Sequence, residues 1–279
     1  MGKLPKENNF SVYDSAKQEN PAIEELKGIF KYRDLVFQLI HRDIVARYKR
    51  SVLGIAWTML NPLGTMVIIT VVFSQIFHSL EKYPIYVLSG LIAWNFFAQT
   101  TTAAMQQTVW GSNLYHRIYL PRTTFTVASM GTGFVNFLLS LIPLGLIMGI
   151  TGASFTRALF ILPISILLLA FFALGIGLLF SSLVIFFHDV TEMYQIALTA
   201  WMYLTPIFYP AEILPDTSRS LILNLNPMYH LIQIFRMPIY EGKLPASSDL
   251  LISVIISLIT LTTGWYIFSK KSSRIAYYA

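Results

Sequence analysis

Ten side chains able to hydrogen-bond or stack lie inside stretches of this chain that are otherwise almost wholly apolar: Trp57, Asn61, Gln75, Trp94, Asn95, Gln99, Asn136, Trp201, Tyr203 and Tyr209. All are neutral. A sugar ring combines apolar C–H faces with a rim of hydroxyls, so a path lined by indoles, phenols and carboxamides suits the sliding of a glycan without trapping it. The same residue types form interfacial belts and bridge packed helices, and each residue taken singly fits that packing role as well. Charge is nearly absent from these stretches, which argues against proton or sodium coupling. No P-loop, H-E-x-x-H or G-x-S-x-G motif occurs, and no pair of carboxylates shares an apolar run, so catalysis by this chain is not expected. His188, Asp189 and Glu192 bring three ionisable groups to the end of one run. Metal sites in membranes draw ligands from several helices, so helix capping and contact with a partner explain this trio better than a metal.

The elements that must position these groups follow from six apolar runs, near residues 53–77, 85–109, 125–150, 158–187, 195–209 and 248–268. About 20 helical residues cross the roughly 30 Å of hydrocarbon, so all but the fifth are long enough. Backbone groups in lipid must pair within their own segment, which makes the runs helices. The chain of 279 residues is 55% hydrophobic and 12% charged, with mean hydropathy +0.59. The expected fold is therefore an all-α membrane protein with six transmembrane helices. It consists of a cytoplasmic tail (1–25), an amphipathic interfacial helix (26–50) and a six-helix domain (51–279). Residues 1–25 lack the apolar core of a cleavable signal peptide, so the first membrane helix is expected to act as its own signal. There is no cysteine. Of 20 Lys and Arg, ten precede the first span; Arg117, Arg122, Lys270, Lys271 and Arg274 fall on the same side by alternation. The positive-inside rule then puts both termini in the cytoplasm of a cell inner membrane. The net charge of +6 is read as topology, with anionic lipid headgroups and not nucleic acid as its partner.

Within 26–50, Val36, Phe37, Ile40, Ile44 and Tyr48 gather on one helical face, with Asp43 and Arg47 intruding as an i,i+4 pair. Between the second and third runs, residues 110–125 are amphipathic and aromatic, a docking surface for a soluble partner or an ordinary interfacial loop. Residues 205–240 hold Pro206, Pro210, Pro215, Pro227 and Pro238, which break any long helix. Apolar pieces such as 221–225 and 229–235 are too short to span, so a re-entrant hairpin on the outer face is expected at 206–240.

Arg47-Tyr48-Lys49, Ser51-Val52-Leu53-Gly54, Trp57 and Asn61-Pro62 resemble the N-terminal signature of ABC-2 type permeases that export polysaccharides and polyol phosphates. FFHDVTEMY (186–194), LTPIFYPAEILP (204–215) and NLNPMY (224–229) are similar to later signatures of that family, in the same order. The resemblance implies a homodimer working with two copies of an ABC ATP-binding subunit and moving a lipid-linked glycan, such as an undecaprenyl-linked O-antigen, outward. ATP and Mg would sit on the partner, with no cofactor on this chain. It further implies a gate helix carrying Phe37, Ile40, Arg47, Tyr48, Lys49 and Arg50. A coupling segment (113–122) would present Tyr115, His116, Arg117, Tyr119, Pro121 and Arg122 to the ATPase. Trp57, Asn61, Trp94, Trp201, Tyr203 and Tyr209 would line the channel, with the outer hairpin built on Pro206, Pro210, Pro215, Pro227 and Tyr229. The family commonly has Arg where this chain has His188, so any ion pair made there is lost or becomes pH-dependent. Rival readings are a permease for teichoic acid, capsule, small lipids or drugs, and a membrane enzyme acting on lipid-linked sugars.

Overall fold

The computed structural model describes residues 21–49, 51–77, 80–110, 121, 123–187 and 189–278, and every regular element among them is helical. In chain order these are α1 (Pro21–Lys31), α2 (Arg33–Tyr48), α3 (Ala56–Phe73), α4 (Tyr83–Trp110) and α5 (Thr123–Ile150). A 3₁₀ turn (Arg157–Ile161) leads into α6 (Leu162–Val184), followed by α7 (Val190–Leu204), α8 (Asp216–Leu225), α9 (Pro227–Tyr240) and α10 (Ser247–Tyr278). The expected single helix over 26–50 is instead two helices. Tyr32, at φ −102° and ψ 22°, leaves helical geometry and turns the chain between them.

Helix α4 is the axis of the bundle, packed by α3, α5, α6, α7 and α9. Its N-terminal half is apolar and buried, with Ile85, Leu88, Ile92 and Phe97 fully enclosed, whereas its C-terminal half carries Gln99, Thr100, Thr101, Thr102, Gln106 and Gln107. A helix walled by protein on several sides can carry such groups, and Thr101 and Thr108 satisfy their hydroxyls on the carbonyls of Phe97 and Ala104, each at 2.8 Å. Helices α6 and α10 approach closely because Gly175 and Gly264 meet at the crossing, where any Cβ would strike the facing backbone. Among the long apolar helices α3 is the least enclosed, burying only Pro62 and Met66.

Four segments among the described residues are long and apolar enough to cross a membrane: α3, α5, 157–184 and 247–271. The protein is thus an all-α, multi-pass membrane protein. The other two expected spans differ for physical reasons. The polar half of α4 lowers its hydropathy, although its 28 residues are ample in length, and α7 has only 15 residues. The connections sort into two ends. Lys82 Nζ donates to the Gly152 carbonyl (3.0 Å), Tyr240 Oη to Glu81 O (2.6 Å) and Thr156 Oγ1 to Gly242 O (2.7 Å), which joins three connections at one end. At the other, Thr123 Oγ1 donates to Glu25 Oε2 (2.7 Å) and Trp265 Nε1 to Ala22 O (3.2 Å).

Candidate functional site

Five of the amides and indoles named from sequence converge. Trp57 and Asn61 of α3, Asn95 and Gln99 of α4, and Asn136 of α5 line one cavity of about 490 Å³, closed at one side by Asp43 and Arg47 of α2. Each arrives there because α3, α4 and α5 pack as a triplet and the polar residues recur at helical spacing on the facing sides, 57/61 and 95/99. Hydroxyls of Ser129, Thr132 and Ser140 complete the α5 wall, each donating to a carbonyl of its own helix at 2.9–3.1 Å. Thr100 Oγ1 and Asn136 Oδ1 are buried on this wall and meet no hydrogen-bond partner among the described residues. Gln75 lies apart, exposed beyond the end of α3.

Trp94, expected to line the channel, is instead a core residue, 3% exposed. It packs edge-on to Trp201 and Phe97, and Trp201 in turn packs against Phe97 and Phe172, with ring centroids 5.3–6.3 Å apart. Its position follows from the pattern of α4, where Leu91, Ile92, Trp94 and Phe97 fall on buried sides. Trp201 is half-buried and donates Nε1 to Asn226 Oδ1 at 2.8 Å. Tyr203 is exposed, and the Tyr209 hydroxyl donates to its carbonyl at 2.7 Å.

The 206–240 segment is a helical pair, α8 and α9, and α9 is part of the core rather than an interfacial piece, with Ile232, Ile234 and Phe235 enclosed. Pro227 opens α9 at a position that needs no N–H, and the Asn226 side chain caps it, accepting from Met228 and Tyr229. Pro206 and Pro210 are buried, Pro215 precedes α8 in the open, and Tyr229 is half-buried beside the His230 ring. The non-helical stretch 206–209 has its carbonyls served by three side chains. Arg236 Nη1 reaches Pro206 O (2.8 Å), Tyr83 reaches Phe208 O (2.6 Å) and Tyr86 reaches Tyr209 O (2.9 Å). Irregular backbone among spans persists only where protein donors replace water, and these are the donors.

Helix α2 encloses part of the face expected for it, with Val36 buried and Ile40 and Ile44 half-buried, but adds Leu39 and leaves Phe37 out. Val36 and Leu39 pack on Phe125 and Ala128 of α5, and Ile40 lies against Gly131, while Phe37 is 67% exposed. Asp43 does not pair with Arg47. Its carboxylate takes Arg42 Nη2 at 2.8 Å and Gln107 Nε2 at 2.6 Å, leaving Arg47 and Lys49 exposed. Helices α1 and α2 thereby hold both flanks of residues 111–120: the last turn of α4 through Gln107, and the start of α5 through Thr123 and through Pro121, against which Gly28 sits too closely for any side chain. Tyr115, His116, Arg117, Tyr119 and Arg122 lie outside the described residues, as do Arg50, His188 and the Tyr48 side chain. Asp189 stands at the N-cap of α7 without a capping hydrogen bond, contrary to the capping expected, and Glu192 is exposed.

Residues 34–240 match the ABC-2 type transporter family, covering α2 through α9 and so the whole of this constellation. The chain belongs to the ABC-2 type transporter family. Members of this family are transport subunits rather than enzymes, and they generally pair with a cytoplasmic ATP-binding cassette subunit. This permease is 28% identical over 257 residues to the O-antigen export system permease protein RfbA of Myxococcus xanthus, covering 91% of the chain and 98% of that relative. It is 24% identical to the polysialic acid transport protein KpsM of Escherichia coli, over 84% of the chain and 92% of the relative. Against the capsule polysaccharide export inner-membrane protein CtrC of Neisseria meningitidis serogroup B, identity is 23% over 87% of the chain and 93% of the relative.

Sequence reading passed over three groups that organise the permease. Arg236 was visible as a lone charge in an apolar stretch, a signal of a buried function. Asn226 before Pro227 carries the pattern of a helix start. Gln107, which ties α4 to α2, carries no local signal at all.

Proposed function

We propose that this chain is the permease subunit of an ATP-driven exporter that moves a lipid-linked polysaccharide, of O-antigen type, from the cytoplasmic side across the inner membrane. What carries the reading is similarity along nearly the whole chain to a permease named for O-antigen export, together with likeness to a polysialic acid transport protein and a capsule polysaccharide export inner-membrane protein. The geometry supports it: amides and hydroxyls on the facing sides of α3, α4 and α5 meet a glycan's hydroxyls in a slab where dehydrating them without replacement partners is costly. The carrier fitting this reading is an undecaprenyl-linked glycan. The permease works as a homodimer with two ATP-binding subunits, both termini in the cytoplasm, and crosses the membrane six times, α4 and α7 included.

In this reading residues 113–122 seat in the ATPase, and α1–α2 act as the gate, moved through their contacts with Gln107, Pro121 and Thr123. Trp57, Asn61, Tyr203 and Tyr209 remain the channel-facing candidates. The test is translocation of lipid-linked glycan into proteoliposomes holding the permease and its ATP-binding partner. Transport that requires ATP, and that fails in Arg117→Ala/Tyr119→Ala with loss of partner binding or coupling, is the expected result. Glycan movement or processing without any ATPase would sink the proposal.

A further inference from the structure

We infer that the cavity between α2, α3, α4 and α5 is a subsite inside each protomer for an uncharged sugar residue, not for the phosphate of a lipid carrier; the inference rests on the glycan-export reading. Size permits it, because about 490 Å³ falls within the usual range of small-molecule sites. Polarity then selects the occupant. The charged side chains on the lining are Asp43 and Arg47, both on α2. Asp43 is already paired with Arg42 and held by Gln107, and Arg47 is solvent-exposed, so an anion finds no buried unpaired cation there. Nor is there a helix terminus free to hold phosphate. The first N–H groups of α3 are already taken, Ala56 by Leu53 O, Trp57 by Gly54 O and Thr58 by Ile55 O, at 3.0–3.3 Å.

The wall carries both kinds of group. Ser129, Thr132 and Ser140 spend their protons on their own helix and present oxygen lone pairs, while the carboxamides of Asn61, Asn95 and Gln99 bring N–H donors as well as carbonyl acceptors. A sugar ring, each of whose hydroxyls both donates and accepts, meets such a mixed neutral wall, whereas an ionised phosphate accepts only and leaves the hydroxyl lone pairs and amide carbonyls unmet. At the mouth, Trp57 is 53% exposed and offers an indole face to the C–H side of such a ring.

The chain has no cysteine, which makes single introduced thiols clean reporters. Gln99→Cys and, separately, Asn95→Cys are placed in the full permease with its ATP-binding partner in nanodiscs. Maleimide labelling of this chain is followed by mass spectrometry while maltotetraose or inorganic pyrophosphate is titrated. Lys243→Cys, far from the cavity, is the control. Labelling at both cavity positions is expected to slow saturably with maltotetraose, about tenfold at ten times the half-effect concentration. It is expected to stay unchanged with pyrophosphate and at position 243. Protection by pyrophosphate, or no protection by maltotetraose up to its solubility limit, overturns the assignment. ATP-driven export by wild type is measured alongside: export without protection overturns the subsite alone, while protection without ATP-dependent export supports the subsite and overturns the export reading.

Discussion

Arg236 is the clearest case of one side chain holding a functional region in shape. It is 2% exposed, its guanidinium carbon lies 3.8 Å from the Tyr86 ring centroid, and it serves the carbonyls of Pro206 and Ile207. Gly90 leaves the space that the guanidinium occupies. Arg236→Ala strands the buried Ile207 carbonyl and leaves Pro206 O with the Tyr86 hydroxyl at 3.3 Å, so a loss of roughly 2 kcal/mol is expected in thermal unfolding of the detergent-purified permease. Arg236→Lys, with a single ammonium for two acceptors, should recover part of it. A change below about 0.5 kcal/mol in Arg236→Ala would mean that the Ile207 carbonyl also has another partner. Asn226 does comparable work with a neutral group, capping α9, accepting from Trp201 and donating to Thr205 Oγ1 at 2.9 Å. Asn226→Ala should cost about 1 kcal/mol from the cap alone and red-shift Trp201 emission, while Asn226→Asp, which keeps the capping oxygen, should retain most of the stability.

At the level of elements, the consequential contact is α2 on α5, because α5 begins just after residues 111–120 and α2 also holds, through Asp43 and Gln107, the last turn of α4 before them. Gly131 is what lets Ile40 seat. Gly131→Leu forces an overlap worth about 1–3 kcal/mol, enough to undock α2 in most molecules. The expected phenotype is retained ATP hydrolysis with glycan export lowered about tenfold or more, measured in the same proteoliposomes. Equal loss of both activities would instead indicate a folding defect. How much of this was legible divides by the range of the interaction. The breaks at Pro206, Pro210, Pro215 and Pro227 and the helical character of the apolar runs are local properties of the chain, and both were readable. The buried face of α2 was readable at Val36 and Ile40 but not at Leu39 or Asp43, because Leu39 packs on a helix that begins at Thr123 and Asp43 is held by Gln107, 64 residues away. Trp94 was misplaced for the same reason. An indole in an apolar run reads equally as wall or as core, and only the arrival of Trp201 from α7 decides it. The amides were legible as neutral polar groups inside apolar runs, but that Asn61, Asn95, Gln99 and Asn136 converge on one cavity while Gln75 lies apart follows only from the packing of α3, α4 and α5.

At the scale of the whole molecule, several spans among the described residues leave apolar faces open, α10 included, but those whose glycines have open Cβ positions on that face are α3 and α5, the candidate seams of the proposed homodimer. On α3, Leu60, Val67, Ile68 and Val71 are exposed, spaced to form one stripe, with Gly64 amid them and nothing near the position its Cβ would take. On α5, Ile142, Leu146 and Ile150 are exposed alongside Gly145 and Gly149, whose Cβ positions are likewise open. Small residues let membrane helices approach closely, so each stripe is a possible seam, but only the α3 stripe runs on from a cavity-lining residue, Trp57. A shared channel between two protomers therefore places α3 at the seam and α5 toward lipid. In the cysteine-free chain, Ile68→Cys is expected to form a protomer-to-protomer disulfide under mild oxidation in membranes, and Ile142→Cys is not. Gly64→Leu should weaken the dimer by about 1–3 kcal/mol through lost close approach, read as a shift of the monomer–dimer equilibrium in detergent, whereas Gly145→Leu should leave it unchanged. The reverse pattern would move the seam to α5 and leave the open face of α3, with its mouth at Trp57, turned toward lipid. A lipid-linked substrate would then reach the cavity from the side instead of from a channel between protomers.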